Sequence, residues 1–238
     1  MAITLFPHQR EAVQNVVREF ADPPEEFAQM RGGVGPWAGL RTQVVAATGT
    51  GKTAIAAACA ARVAPRGRVL VLVPTLDLLT QTVAAWRRGG RTGAMVAVCS
   101  LRDDDPALVA GGVRTTTSAP QYTLWTGRTR HLTVFGTYAS LRVLLEAQEG
   151  VYGLRPPDPF DLVVVDEAHR TSGALGKAWA AIHDNRQLPA ARRLYLTATP
   201  RIWEPAAGSA YDALAEEPTT IAHPNTAVTS HHDRDGVG

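Results

Sequence analysis

Lys52 is one of only two lysines among the 24 basic residues of this 238-residue chain. It closes the run Ala46-Ala47-Thr48-Gly49-Thr50-Gly51-Lys52-Thr53. A loop of small residues can wrap its backbone N–H groups around a phosphate, and a slim ammonium on a flexible stem then reaches the neighbouring phosphate oxygens as a point charge. A planar guanidinium is too broad for that space. Lysine in an arginine-rich chain therefore marks a phosphate cradle, with Thr48, Gly49, Thr50, Gly51, Lys52 and Thr53 as the candidate binding residues. Ala46 stands where the simplest form of this pattern has its first glycine. The second chemical element is Asp161-Leu-Val-Val-Val-Asp166-Glu167-Ala168-His169, an apolar strand that ends in two acids. Asp166, with the Thr53 hydroxyl, can hold a Mg²⁺ ion that bridges phosphates. Glu167 can orient or deprotonate an attacking water.

These residues need elements that hold them. Arg41–Ala47 reads as a buried strand, and Thr53–Val63 as an alanine-rich helix whose N-terminus faces the phosphates. Upstream, Ala12, Val13, Val16, Val17 and Phe20 recur at helical spacing, predicting an amphipathic helix from Pro7 to Phe20. Residues 22–40 read as a loop. Further strands are predicted at Arg68–Val73, Ala94–Cys99, His131–Phe135, Leu162–Val165 and Arg193–Leu196. Helices are predicted at Leu76–Trp86, Tyr138–Gln148 and Ala174–Asp184. Residues 101–130 read as a long surface excursion with one short helix near Pro120–Trp125. Strands alternating with helices imply an α/β fold, a doubly wound, mostly parallel sheet with helices on both faces. The acids then stand at a strand's C-terminal end, where ligands bind in such sheets.

Composition bounds the partners. The longest apolar runs are strand-length, so no membrane span is expected. Pro7, His8, Arg10 and Glu11 interrupt the stretch where a secretory leader would be apolar. Cys59 and Cys99 read as small buried residues, and the expected compartment is the reducing cytoplasm. Net charge is +2, but residues 204–238 hold six acids and one base, leaving 23 bases and 16 acids before them. A basic body suits a polyanionic partner. The expected division is a domain over 1–203 and an irregular or disordered tail over 204–238.

The motifs, in this order, resemble the first RecA-like domain of a superfamily 2 helicase or translocase with a DEAH box. The resemblance runs from Leu5 to Trp203, with the phosphate loop as its Walker A element, and implies ATP and Mg²⁺ as ligands. Leu5-Phe-Pro-His-Gln-Arg-Glu-Ala12 resembles the segment upstream of the loop and implies that Gln9 bonds the adenine; alone, Gln9 would read as a solvated first-turn residue. Pro74-Thr75-Leu76-Asp77-Leu78-Leu79-Thr80-Gln81 resembles motif Ia, and Gly136-Thr137-Tyr138-Ala139-Ser140-Leu141 resembles motif Ib. They imply nucleic-acid phosphate contacts by Thr75, Thr137 and Ser140, although Thr75 and Thr137 would equally serve as helix N-caps. Thr197-Ala198-Thr199-Pro200 resembles motif III. It implies coupling between nucleotide and nucleic acid through Thr197 or Thr199, with His169 as mediator. The acid-bearing segment and Thr-Ala-Thr-Pro-Arg201 look more like restriction-subunit DNA translocases than RNA helicases, so DNA is the expected strand.

In such enzymes ATP sits between two RecA-like domains, the second supplying an arginine finger. Nothing after Trp203 resembles that finger-bearing helix, so half an active site is expected, completed by a second RecA-like domain or chain. A non-catalytic nucleotide- or nucleic-acid-binding module is the alternative. A metabolic P-loop kinase is disfavoured by the Ia, Ib and III segments.

Overall fold

In the computed structural model, which describes residues 4–23, 38–102, 104–171 and 179–199, the phosphate loop and the acid pair stand side by side because of strand order. Seven strands run β1 (Leu40–Val45), β2 (Arg68–Val73), β3 (Ala94–Val98), β4 (Arg114–Thr116), β5 (Leu132–Thr137), β6 (Leu162–Asp166) and β7 (Arg192–Thr197). They form one sheet in the order β1-β7-β6-β2-β5-β3-β4, and every pairing is parallel. The last strand in sequence thus inserts between the first and the sixth. Val45 registers with Thr197, and Asp166 with Leu196.

Parallel strands need crossovers, and the helices that make them bury both faces of the sheet. That is why β2, Arg-Val-Leu-Val-Leu-Val, is buried throughout. Val69, Val71 and Val73 enter one core layer, while Leu70 and Leu72 enter the other. The first layer is covered by α1 (Pro7–Ala21), α2 (Lys52–Val63), α3 (Leu76–Arg88) and α4 (Pro106–Ala110). α1 places Val13, Val16 and Phe20 against it, and α2 places Ile55 and Ala56 through Ala60 there. The second layer is covered by α5 (Ala119–Thr126) and α6 (Leu141–Glu149). Among the described residues no helix is long and apolar enough to cross a membrane.

Several elements depart from expectation. Residues 101–130 are not a mere excursion: Leu108, Val113 and Tyr122 are fully or nearly fully buried, and Arg114–Thr116 extends the sheet beside β3. Asp105 and Ser118 cap the two short helices, accepting from Leu108 and Gln121 N–H respectively. Tyr138–Ser140 is a 3₁₀ turn, with the α-helix starting only at Leu141. Of the helix expected over Ala174–Asp184, residues 174–178 lie outside the described residues, and Ala180–His183 is a 3₁₀ turn. The tail over 204–238 also lies outside them.

Part of the basic excess is structural. Arg68, Arg91 and Arg193 are 3%, 7% and 0% exposed, so they cannot face a polyanion. Arg91 donates to the carbonyls of Ala64, Pro65 and Gly67 and to Thr133. Arg193 donates to Ile182 O, Asn185 Oδ1 and Leu188 O. A guanidinium presents five N–H groups in a fixed fork, and here it satisfies loop carbonyls that would otherwise be buried without partners. Truncating Arg193→Ala orphans those acceptors and leaves a cavity. We expect a loss of about 3–5 kcal/mol in urea unfolding. Arg186→Ala, which removes an exposed guanidinium from its pair with Asp184, should cost far less.

Candidate functional site

The chain leaves β1 at Val45 and enters α2 at Lys52 through a loop that no ordinary side chain could follow. Gly49 and Gly51 have φ of +85° and +86°, where a Cβ is strained. At Gly51 a Cβ would also stand 2.3 Å from Gln9 Nε2. At Gly49 a Cβ would meet nothing within 4 Å, so the loop backbone there is open to a ligand. Thr50 folds back on Ala47, its N–H and hydroxyl reaching Ala47 O at 3.3 and 2.7 Å. Gly51 caps α2 without a side chain, which leaves the first-turn N–H groups and the positive end of the helix dipole facing the loop. The backbone therefore fits a phosphate.

Gln9 is 5% exposed. Its Oε1 accepts from Phe6 N at 3.0 Å, and its Nε2 donates to Thr50 O at 2.8 Å. It braces the phosphate loop from α1, with one N–H and one lone pair left over. His8 Nε2 lies 3.3 Å from the same carbonyl.

At the end of β6 the chain turns sharply, with Glu167 at φ +53° and its N–H donated to Asp166 Oδ1 at 3.0 Å. Lys52 Nζ donates to Ala46 O at 3.2 Å and lies 3.5 Å from Glu167 Oε1. The other carboxylate oxygen, Oε2, is 3.3 Å from His169 Nδ1, which is 3.2 Å from Thr197 Oγ1. The Thr197 hydroxyl donates to Thr199 O at 2.9 Å and accepts from Thr199 N at 3.2 Å. Toward His169 it therefore acts as acceptor, which assigns the proton to Nδ1. Thr197 O in turn accepts from Ala46 N at 2.9 Å, the residue whose carbonyl receives Lys52. The contacts close into a ring: Lys52, Glu167, His169, Thr197 and Ala46.

Asp166 sits beside this ring. Burial holds its carboxyl above the usual carboxylate range, and the Glu167 charge adds to that; the Glu167 N–H and Lys52 pull the other way. A half-buried acid with a like-charged neighbour has the donor chemistry of a divalent-cation site. Thr53, the expected hydroxyl partner, lies in the first turn of α2.

The remaining expected residues lie at the same C-terminal edge but do not join the ring. Thr75 is exposed and accepts from Leu78 N at 3.3 Å as the N-cap of α3. Thr137 is 4% exposed, and its hydroxyl pairs with that of Ser140 at 2.8 Å. Thr48 is exposed on the loop. Sequence reasoning missed Tyr138, whose hydroxyl donates to the Asp166 carbonyl and so anchors the acid turn to the end of β5. An aromatic hydroxyl directly after a buried strand was the available signal, since a buried Tyr seeks a polar partner.

The model of the type III restriction enzyme res subunit family matches residues 2–202. The chain belongs to that family. Its sheet is that of a RecA-like domain of the superfamily 2 helicase class. Among solved structures it is similar to the type ISP restriction-modification enzyme LlaGI, solved as a nuclease-deletion mutant with a DNA substrate mimic. Identity there is 29%, the TM-score is 0.63, and the match covers 84% of this chain and 18% of that one. It is also similar to the ATP-dependent type ISP restriction-modification enzyme LlaBIII bound to DNA, at 28% identity and a TM-score of 0.62, over 87% of this chain and 13% of that one. The chain thus spans under a fifth of the length of these relatives. No curated protein shows a significant match.

An acid whose pKa is raised on folding opposes the fold while ionised, and that opposition fades as pH falls through its folded value. Asp166→Asn keeps the acceptor for Glu167 N–H and removes the charge. In metal-free thermal melts the variant should have the higher Tm at pH 7, and the gain should shrink as acidification protonates Asp166 in the wild type. A lower Tm for the variant at pH 7 would contradict this account of the site.

Proposed function

We propose that this chain is the ATP-binding and hydrolysing domain of a DNA translocase. The observation that carries the reading is the ring joining the phosphate loop, the acid turn and Thr197. Two independent supports are family membership and the relatives themselves, one ATP-dependent and both solved with DNA or its mimic. The domain extends over 1–203 with a tail over 204–238, and a DNA partner is consistent with a cytoplasmic location.

In this reading the loop N–H groups from Thr48 to Thr53 wrap the phosphates. Lys52 exchanges Glu167 and Ala46 O for the β/γ-oxygens. Mg²⁺ bound with the nucleotide would rest on Thr53 and Asp166, and supplies charge neutralisation between the phosphates. Release of Lys52 frees Glu167 to take the proton of a water whose oxygen attacks the γ-phosphorus, as the bond to the β-bridging oxygen breaks. His169 reports the change at Glu167 to Thr197 and Thr199. Gln9 keeps the loop in register and can offer its spare N–H to the base. Thr75, Thr137 and Ser140 follow a DNA strand along the sheet edge, using hydroxyl and backbone groups on phosphate, which gives sequence-tolerant, salt-dependent binding. The arginine that stabilises transition-state charge comes from a second RecA-like domain. Addition of that domain should raise turnover by roughly 10³–10⁵.

Two substitutions separate binding from chemistry. By calorimetry, Lys52→Ala should weaken ATP binding about 10- to 150-fold, the value of a charge-assisted contact. Glu167→Gln should retain ATP binding while turnover falls about 10²–10⁴-fold. Equal ATP affinity for wild type and Lys52→Ala sinks the phosphate-loop assignment, and undiminished turnover in Glu167→Gln removes it as the base.

A further inference from the structure

Glu167 leaves β6 in an uncommon backbone state. Its φ is +53°, a region that residues other than glycine rarely adopt and keep only where surrounding contacts over-determine it. Two hydrogen bonds grip the peptide unit that joins it to Asp166. The N–H end of that unit, Glu167 N, donates to Asp166 Oδ1 at 3.0 Å. The C=O end, the Asp166 carbonyl, accepts from the Tyr138 hydroxyl. The peptide plane is thus held at both ends. With it is held the direction in which the Glu167 side chain departs toward Lys52 and His169.

Tyr138 is itself firmly seated. It is 2% exposed, it belongs to the second core layer, and its ring packs on that of Trp179 with centroids 5.0 Å apart. It also opens the 3₁₀ turn Tyr138–Ser140, directly after β5, and its carbonyl accepts from Leu141 N–H to close that turn. Thr137 precedes the turn and Ser140 ends it, with their hydroxyls 2.8 Å apart. The turn therefore touches two things at once. Its flanking hydroxyls are the groups assigned to a DNA strand, and its tyrosine holds the peptide of the acid turn.

We propose that Tyr138 is a positioning residue for Glu167, and that a DNA strand docked on Thr137 and Ser140 acts on Glu167 through it. The inference rests on the reading of Glu167 as the general base and of the two hydroxyls as DNA contacts. Without the Tyr138 hydroxyl the Asp166–Glu167 peptide is held at its N–H end alone. Glu167 can then relax toward negative φ, which swings its carboxylate off the line to the attacking water. A strand that braces the turn fixes the plane, so alignment of the base follows strand binding. This route is separate from the contact between His169 and Thr197. It enters the acid turn through its backbone from β5, whereas the other leaves through a side chain toward β7.

The test compares the full wild-type chain with Tyr138→Phe, which keeps the ring on Trp179 and removes only the hydroxyl. Amide hydrogen exchange followed by NMR should show the Glu167 N–H exchanging about 3- to 10-fold faster in the variant, the value of one hydrogen bond. Val163, Val164 and Val165 of β6 should be unchanged. A DNA duplex of mixed sequence should slow Glu167 exchange in the wild type and leave it unaltered in the variant. In DNA-stimulated ATP turnover, kcat should fall by the same factor while KM for ATP stays at the wild-type value. Equal Glu167 exchange in the two proteins overturns the proposal, as does a DNA effect that persists in the variant. Acceleration shared by all of β6, or a KM that rises as kcat falls, marks a merely structural role and also overturns it. A wild type that neither binds DNA nor turns over ATP overturns the translocase reading and the DNA half of the proposal, while Glu167 exchange still decides whether Tyr138 holds the acid turn.

Discussion

The insertion of β7 between β1 and β6 is the constraint on which the site depends. Lys52 follows β1, Glu167 follows β6, and Thr197 closes β7. Only this order puts the three strand ends on adjacent 4.8 Å steps of one sheet, close enough for side chains to touch. Register then sets the detail. With Val45 opposite Thr197, the next residue, Ala46, donates to the Thr197 carbonyl and turns its own carbonyl to Lys52. A slip of one residue in β7 would turn the Thr197 side chain to the other face and open the ring.

Electrostatically, the described residues at this edge set one ammonium against two carboxylates. Lys52 and Glu167 serve as each other's counterions at 3.5 Å, while at Asp166 burial and the Glu167 charge outweigh the Glu167 N–H and Lys52. In the proposed function a magnesium-bound triphosphate would bring a cation for Asp166 and an anion for Lys52. In that reading the release of Glu167 follows from the same exchange, which makes nucleotide binding and the arming of the base one event. His169 ties that event to the end of β7 through its single Nδ1 proton.

Legibility followed chain continuity. The geometry of the phosphate loop and the acid turn was readable because each lies within a few consecutive residues, and glycine at Gly49 and Gly51 answers a positive φ. Strand alternation and the buried runs of β2 and β6 were readable because two-sided burial demands continuous apolar sequence. Strand order was not, since nothing local in Arg192–Thr197 says that it pairs with β1 rather than an outer strand. β4 was missed because three residues, Arg-Thr-Thr, carry no apolar alternation, and their pairing is decided by the neighbouring β3. Likewise Arg68, Arg91 and Arg193 read as surface charge until the loops whose carbonyls they satisfy are in place. Thr75 illustrates the opposite case, where the bland expectation of a helix cap is what its hydroxyl does.

The proposed function requires Lys52, Glu167, His169 and Thr197 to act as one unit. A double-mutant cycle on ATP affinity, with Glu167→Gln, Thr197→Val and the pair, tests it most directly. The two residues share no direct contact and communicate through His169. A coupled ring predicts an interaction energy of about 0.5–3 kcal/mol. Additivity within about 0.3–0.5 kcal/mol would show that the ring is a set of neighbours and not a device.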